Sequence, residues 1–154
     1  MRDEIYEEMR DEYKISTDKG LLNIALIHTY LSEESYWAKN IPVAFVKKSI
    51  KNSLCFGIYF KQEQIGFARV ISDYSTFAYL ADVFVSEGFR GKGLSKWLVK
   101  FILVHPQLQQ LRRFCLATRD AHKLYELFGF TSLSHPENMM EIKHNDLYST
   151  LPIR

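Results

Sequence analysis

The spacing of apolar residues divides the chain into helical and extended stretches. From Thr17 to Leu31, Leu21, Leu22, Ala25, His28 and Tyr30 recur at helical spacing. Thr17 or Asp18 offers a short oxygen that can cap the free N–H groups at its start. Pro42 fits the first turn of a second helix running to about Asn52. The segment between, Ser32–Asn40 (SEESYWAKN), reads as a loop carrying two large aromatics. Three strands come next, at Leu54–Phe60, Ile65–Ser72 and Phe77–Val85, joined by KQEQ and SDYST turns into a meander. The helical period then returns: Leu94, Trp97, Leu98, Phe101 and Ile102 share one face, and Pro106 ends the run. Phe114–Ala117 reads as a short strand and Ala121–Phe128 as a short helix closed by Gly129. Met139–Lys143 is a further strand candidate, Tyr13–Thr17 the first strand, and Met1–Arg10 a short, loosely attached helix. Early helices, a meander and a final β-α-β-α section predict an α+β fold, with a mixed sheet and helices on both faces.

A chain of 154 residues with 47% hydrophobic and 25% charged residues reads as one globular domain spanning 1–154. A net charge of +2 is too small to make nucleic acid the main partner. No apolar run approaches the length of a membrane span, and the acidic start MRDEIYEEMRDEY lacks a signal-peptide core. Cys55 and Cys115 lie in apolar, strand-like runs, which suits buried free thiols and a reducing cytoplasm. No His or Cys cluster has the spacing of metal ligands.

The candidate chemistry begins at FRGKGLSKWL, Phe89–Leu98. A Walker A loop fails because Gly91-Lys92 is followed by Gly93, where Ser or Thr is required. A Rossmann loop fails because its third glycine position holds Lys96. What remains is R-x-x-G-x-[GA], read here as Arg90-Gly91-Lys92-Gly93-Leu94-Ser95 with Ser replacing the last small residue, a mild departure, between a strand and a long helix. A helix start carries free N–H groups and partial positive charge, glycines let the backbone approach a diphosphate, and Arg90 and Lys92 add charge. The bland alternative is a surface turn that starts a helix.

The preceding strand and the later run LATRDAHKLYELFGF decide between them. Val83-Phe84-Val85, the Arg90–Ser95 loop, and then Thr118, Ala121, Leu124-Tyr125 and Gly129-Phe130 together resemble the GNAT superfamily, in a small bacterial-type form. The resemblance covers roughly Leu54–Leu133 and implies the acyl-CoA N-acyltransferase fold, with a mostly antiparallel central sheet and acetyl-CoA as cofactor. It implies that backbone groups of Val83 and Val85, with Phe84 between them, hold the pantetheine arm. It also implies that the N–H groups of Gly91, Lys92, Gly93, Leu94, Ser95 and Lys96 hold the pyrophosphate. Thr118 stands where the family often has an Asn touching the cofactor. Tyr125 stands where many members place a Tyr near the thioester sulfur, so it either protonates the leaving thiolate or is simply a core aromatic. Asp82 either relays a proton, binds the acceptor ammonium, or serves as a structural carboxylate capping a loop or pairing with Arg69.

Tyr36, Trp37, Asp73 and Tyr79 are the candidates for the acceptor side, since aromatic walls with a carboxylate suit a small amine. Filling the core or a dimer contact is the competing role for them. The resulting expectation is an N-acetyltransferase acting on a small-molecule primary amine, with no nucleic-acid or membrane partner and with a homodimer left open. The alternatives are a peptide or protein N-acetyltransferase and a non-catalytic acyl-CoA sensor.

Overall fold

The computed structural model describes residues 4–151. Strands β1 (Glu7–Arg10), β2 (Tyr13–Ser16), β3 (Leu54–Phe60), β4 (Glu63–Ser72), β5 (Phe77–Val85) and β6 (Arg113–Leu116) form one sheet in chain order. Neighbours pair antiparallel except β5 and β6, which are parallel. Parallel strands need a long crossover, and the helix α3 (Leu94–Leu103) supplies it.

Helices cover both faces, as the element order predicts. On one face α1 (Ile24–Thr29) and α2 (Val43–Lys51) pack Ile27, Val46 and Ile50 on Cys55, Phe67 and Phe84. On the other, α3 and α4 (His122–Glu126) meet Leu54, Phe56, Ile58 and Val70. All five apolar positions of the α3 stripe are buried. β3 is covered on both faces, which is why LCFGIYF reads as a continuous apolar run and not an alternating one. No helix among the described residues is long and apolar enough to cross a membrane.

Three expectations are corrected. The N-terminal helix, whose first residues Met1–Asp3 lie outside the described residues, is a strand: Glu7–Arg10 pairs with β2 across a turn at Asp11, φ 54°. Its four side chains are exposed, so no apolar period marks it. Its anchor is α3, where Glu8 accepts the Trp97 indole N–H at 2.6 Å and Arg10 lies 4.7 Å from the Trp97 ring centre. The helix expected from Thr17 or Asp18 is broken. Asp18 caps only the 3-10 turn Lys19–Leu21, and Asn23 caps α1 by accepting from Leu26 N–H. The break is held from outside, since Gln64 Oε1 takes the Asn23 N–H at 2.6 Å. The chain then passes through a π-helical stretch, Tyr30–Glu34, so the loop begins at Ser35. Met139–Lys143 is not a strand, and Met140 and Ile142 are 96% and 91% exposed. It touches the sheet through Arg113 Nη1 on Met139 Sδ at 3.4 Å.

His105, 3% exposed after α3, accepts the Gln107 N–H on Nδ1, so the neutral ring carries its proton on Nε2, which has no partner among the described residues. Burial holds the imidazole below its ordinary range. A group with a depressed folded pKa stabilises above its unfolded pKa of about 6.5 and loses that contribution as pH falls below it. Between about pH 7.5 and pH 5.5 the wild type is therefore expected to lose more stability than His105→Asn, which keeps the cap acceptor. Urea denaturation at the two pH values checks it, and equal losses would contradict it.

Candidate functional site

The site grows from an interruption in β5. Parallel pairing with β6 ends at Leu80–Leu116, while pairing with β4 continues to Gly66–Val85. The last residues of β5 thus have no strand on their β6 side, and the two strands open a cleft. Between Phe67–Phe84 and Arg69–Ala81, β5 has one residue more than β4, and the bulged residue is Asp82 at φ 55°. The bulge inverts the facing of the residues after it: Ala78 and Leu80, then Val83 and Val85, all meet the α3 core. Ser86 N–H bonds Ile65 O on β4 at 2.8 Å, so by strand alternation the main-chain groups of Val83 and Val85 point into the cleft.

At the end of the cleft lies the glycine loop. A 3-10 turn, Glu87–Phe89, leads into Gly91 at φ 77° and Gly93 at φ 78°. A side chain at either position would adopt a left-handed backbone, which glycine takes without strain. The first main-chain bond of α3 runs from Trp97 N–H to Gly93 O, so the N–H groups of Gly91, Lys92, Gly93, Leu94, Ser95 and Lys96 have no main-chain partner among the described residues. Of these residues all but Lys92 line a cavity of about 180 Å³, together with Val85, Phe89, Arg90 and Leu124. A Cβ built on Gly91 or Gly93 would meet no atom within 4 Å. Six free donors, open space and a helix N-terminus are the donor set of a diphosphate site.

Arg90 behaves differently from the sequence expectation of added charge. Its Nε donates to Val85 O at 3.0 Å and its Nη2 to Tyr30 Oη at 3.1 Å. It ties the loop to β5 and to the π-helical stretch, where Tyr30 stacks on Phe84 with ring centres 3.9 Å apart. Lys92 and Lys96 remain exposed at the loop.

The other end of the cleft holds Tyr125. Its ring is buried against Phe130 with centres 5.8 Å apart, and its hydroxyl has no partner among the described residues. Burial, reinforced by the nearby Tyr36 phenol, pushes its pKa up to about 12. Tyr36 and Trp37 span the cleft mouth. Trp37 Nε1 donates to Asp82 Oδ1 at 2.8 Å on β5, and Tyr36 Oη accepts the Arg119 N–H at 2.9 Å just beyond β6. The Arg119 guanidinium also lies 3.9 Å from the Tyr36 ring centre. Thr118 turns its oxygen to the Ala121 N–H, 2.9 Å away, at the start of α4.

Of the readings open for Asp82, pairing with Arg69 is the one this geometry displays. Arg69 Nε donates to Asp82 Oδ2 at 2.8 Å, and Arg69 Nη1 donates to Ser53 Oγ at 3.1 Å. The Arg69 and Asp82 side chains are 15% and 10% exposed. Arg69→Met would strand a largely desolvated carboxylate, with Trp37 its remaining donor. It is expected to cost about 2 kcal/mol, below a fully buried pair because that bond survives. Urea unfolding measures it, and an unchanged midpoint would contradict it. Asp73 is occupied elsewhere: it accepts from Ser75 N–H, Thr76 N–H and Oγ1, and Phe77 N–H in the β4–β5 turn. Those bonds hold its carboxyl well below the usual carboxylate range. Tyr79 faces the α1–α2 side of the sheet, opposite Ile71 and beside Cys115.

Tyr30, held by Arg90 and Phe84, carries no mark in the sequence that sets it apart as a site residue, and Leu124 enters there only as part of the Leu124-Tyr125 run. The bulge did leave a trace, the change of apolar parity between Leu80 and Val83.

Comparison with known proteins places this geometry in a family. The model of the Acetyltransferase (GNAT) family matches residues 4–130. A crystal structure from Xanthomonas campestris pv. campestris, belonging to the GNAT family, is 54% identical with a TM-score of 0.88, covering 90% of this chain and 97% of that one. A "putative acetyltransferase" of Gibberella zeae is 31% identical, covering 75% of this chain and 77% of that protein. A GNAT family acetyltransferase from Elizabethkingia anophelis, crystallised with acetyl-CoA bound, shares the fold at a TM-score of 0.61 and 16% identity, covering 88% of this chain and 91% of that one.

Proposed function

Because the chain belongs to the GNAT acetyltransferase family, we propose that it moves an acetyl group from acetyl-CoA to the primary amine of a small molecule. The observation that carries the reading is the row of free N–H groups from Gly91 to Lys96 at one end of the β5–β6 cleft, with a free, protonated Tyr125 hydroxyl at the other. When bound, acetyl-CoA supplies an activated thioester. Its diphosphate suits the Gly91–Lys96 donors, and its pantetheine arm suits the cleft-facing groups of Val83 and Val85, with Phe84 packed beneath. Because Val85 O is taken by Arg90, the groups left for the arm are Val83 N–H, Val83 O and Val85 N–H.

Transfer exchanges the thioester C–S bond for a C–N bond. Tyr125 gives its phenolic proton to the departing sulfur, and the proton lost by the amine nitrogen leaves through water and restores Tyr125. The high pKa of Tyr125 keeps it in the donating form at neutral pH. Asp82, held by Arg69 and Trp37, fixes the bulge beside the reacting end, where it orients a water or the incoming amine. Thr118 and Lys96 add a hydroxyl and a cation along the cofactor path, and Tyr36, Trp37 and Tyr79 stand toward the acceptor. The aromatic cleft mouth favours a small acceptor over a macromolecular one.

A thiol-release assay over primary amines tests it. Free thiol is expected only when acetyl-CoA, an amine and the protein are together. Acetyl-CoA binding without thiol release for any amine would instead describe an acyl-CoA sensor.

A further inference from the structure

The sheet face that carries α1 and α2 is only partly roofed by them. The pairs Cys55–Arg69, Arg69–Ala81, Ile71–Tyr79 and Tyr79–Cys115 put Arg69, Ile71, Tyr79 and Cys115 on that face. The helices bury Cys55, but Ile71 beyond them is 43% exposed. Tyr36 and Trp37 stand on one side of this opening, their rings edge to face at 5.0 Å. On another side stands Tyr148, from the short C-terminal turn α5 (Leu147–Thr150), with its ring 5.7 Å from Phe45 of α2 at 80°. Tyr79 lies one same-face position along β5 from Ala81, the partner of Arg69, and Tyr148 packs on Phe45 of α2; burial first, and the Asp82 carboxylate second, raises both phenols. Neither hydroxyl has a partner among the described residues.

The charge in this opening is balanced. Asp82 is held by Arg69 and Trp37, and the cation beside Tyr36, Arg119, has Asp120 at 3.6 Å. A polyamine needs a carboxylate for each remote ammonium, and a sugar phosphate needs an unpaired cation cluster. The opening instead offers four aromatic rings and two free phenol hydroxyls, which suit a flat apolar body.

Resting on the transferase reading, we propose that the acceptor is an arylalkylamine, a primary amine on an aromatic body, and that Tyr148 is a specificity-determining wall of its site. The amine nitrogen then lies toward Tyr125 and the cleft, and the ring lies among Tyr36, Trp37, Tyr79 and Tyr148. The chemistry is unchanged: C–N forms, C–S breaks, the sulfur takes the Tyr125 proton and water takes the proton from nitrogen.

The test measures thiol release with 2-phenylethylamine, spermidine and glucosamine 6-phosphate, for wild type, Tyr148→Ala and Tyr148→Phe. Wild-type kcat/KM is expected to favour 2-phenylethylamine at least about tenfold. Tyr148→Ala is expected to raise its KM about tenfold with kcat and the acetyl-CoA thermal shift unchanged, and Tyr148→Phe to keep most of the affinity because the ring is retained. Preference for spermidine or the phosphosugar overturns the proposal, as does an unchanged KM in Tyr148→Ala. No turnover of any of the three by a protein that still binds acetyl-CoA also overturns the acceptor class while leaving the cofactor reading. Loss of acetyl-CoA binding in the wild type would bring down the transferase reading itself.

Discussion

Gly93→Asp is expected to abolish stabilisation by acetyl-CoA while leaving the unliganded fold nearly intact. Asp is among the few residues that tolerate a left-handed backbone, and a Cβ at Gly93 meets nothing within 4 Å, so the variant has room to fold. Its carboxylate, however, stands among the six free N–H groups from Gly91 to Lys96, where it takes the donors and repels a diphosphate. Like-charge juxtaposition costs several kcal/mol, about a thousandfold or more in affinity. In the wild type, acetyl-CoA at about 100 times its Kd adds about 2.7 kcal/mol of stability. Melting with and without acetyl-CoA is therefore expected to show a clear shift for the wild type and none for Gly93→Asp. Gly93→Ala separates strain from charge: it loses roughly 1–2 kcal/mol to the left-handed backbone but keeps measurable binding. A normal shift in Gly93→Asp would remove the diphosphate from this loop.

Tyr125→Phe is expected to lower kcat about a hundredfold with the KM for acetyl-CoA unchanged. The phenyl ring preserves the packing on Phe130, so the lost atom is the proposed proton donor. The pH profile gives an independent reading. The active form of Tyr125 is protonated, and burial pushes its pKa to about 12, so its ionisation cuts no rate at ordinary assay pH. The acceptor must lose a proton first, and a free alkylammonium does so near about pH 10.4. The wild-type rate is therefore expected to climb with pH through at least about pH 9, without a descending limb from this tyrosine. Normal kcat in Tyr125→Phe would assign the proton to another donor.

Much of this arrangement is legible in the sequence, for identifiable reasons. Strands β3 to β5 are runs rich in β-forming residues bounded by turns, the helices α2 and α3 carry strong apolar periods, and tertiary contacts only reinforce these signals. β1 is hidden because EEMR favours a helix by propensity and buries none of its side chains; backbone pairing and the anchoring on Trp97 override that preference. The break at Asn23 depends on Gln64, forty-one residues away, which no local pattern records. Met139–Lys143 shows the reverse case, with strand-forming residues and no strand beside them.

The proposed cofactor end of the site is legible because its chemistry is mostly backbone, and glycines report backbone. Arg90 reads as a ligand cation because the motif gives the residue and not its direction; the fold turns it inward onto Val85 O and Tyr30. Asp73 and Asp82 look alike in sequence, yet one is consumed by a turn and the other is held at a bulge by Arg69 and Trp37. The proposed acceptor side is least legible because its residues come from the Ser35–Asn40 loop, two strands and a C-terminal turn, far apart in the chain.

Calorimetric titration of acetyl-CoA into the wild-type protein tests the central claim most directly. One saturable site per chain is expected, lost in Gly93→Asp and retained in Tyr125→Phe. No binding at millimolar acetyl-CoA, or equal binding by Gly93→Asp, would contradict it.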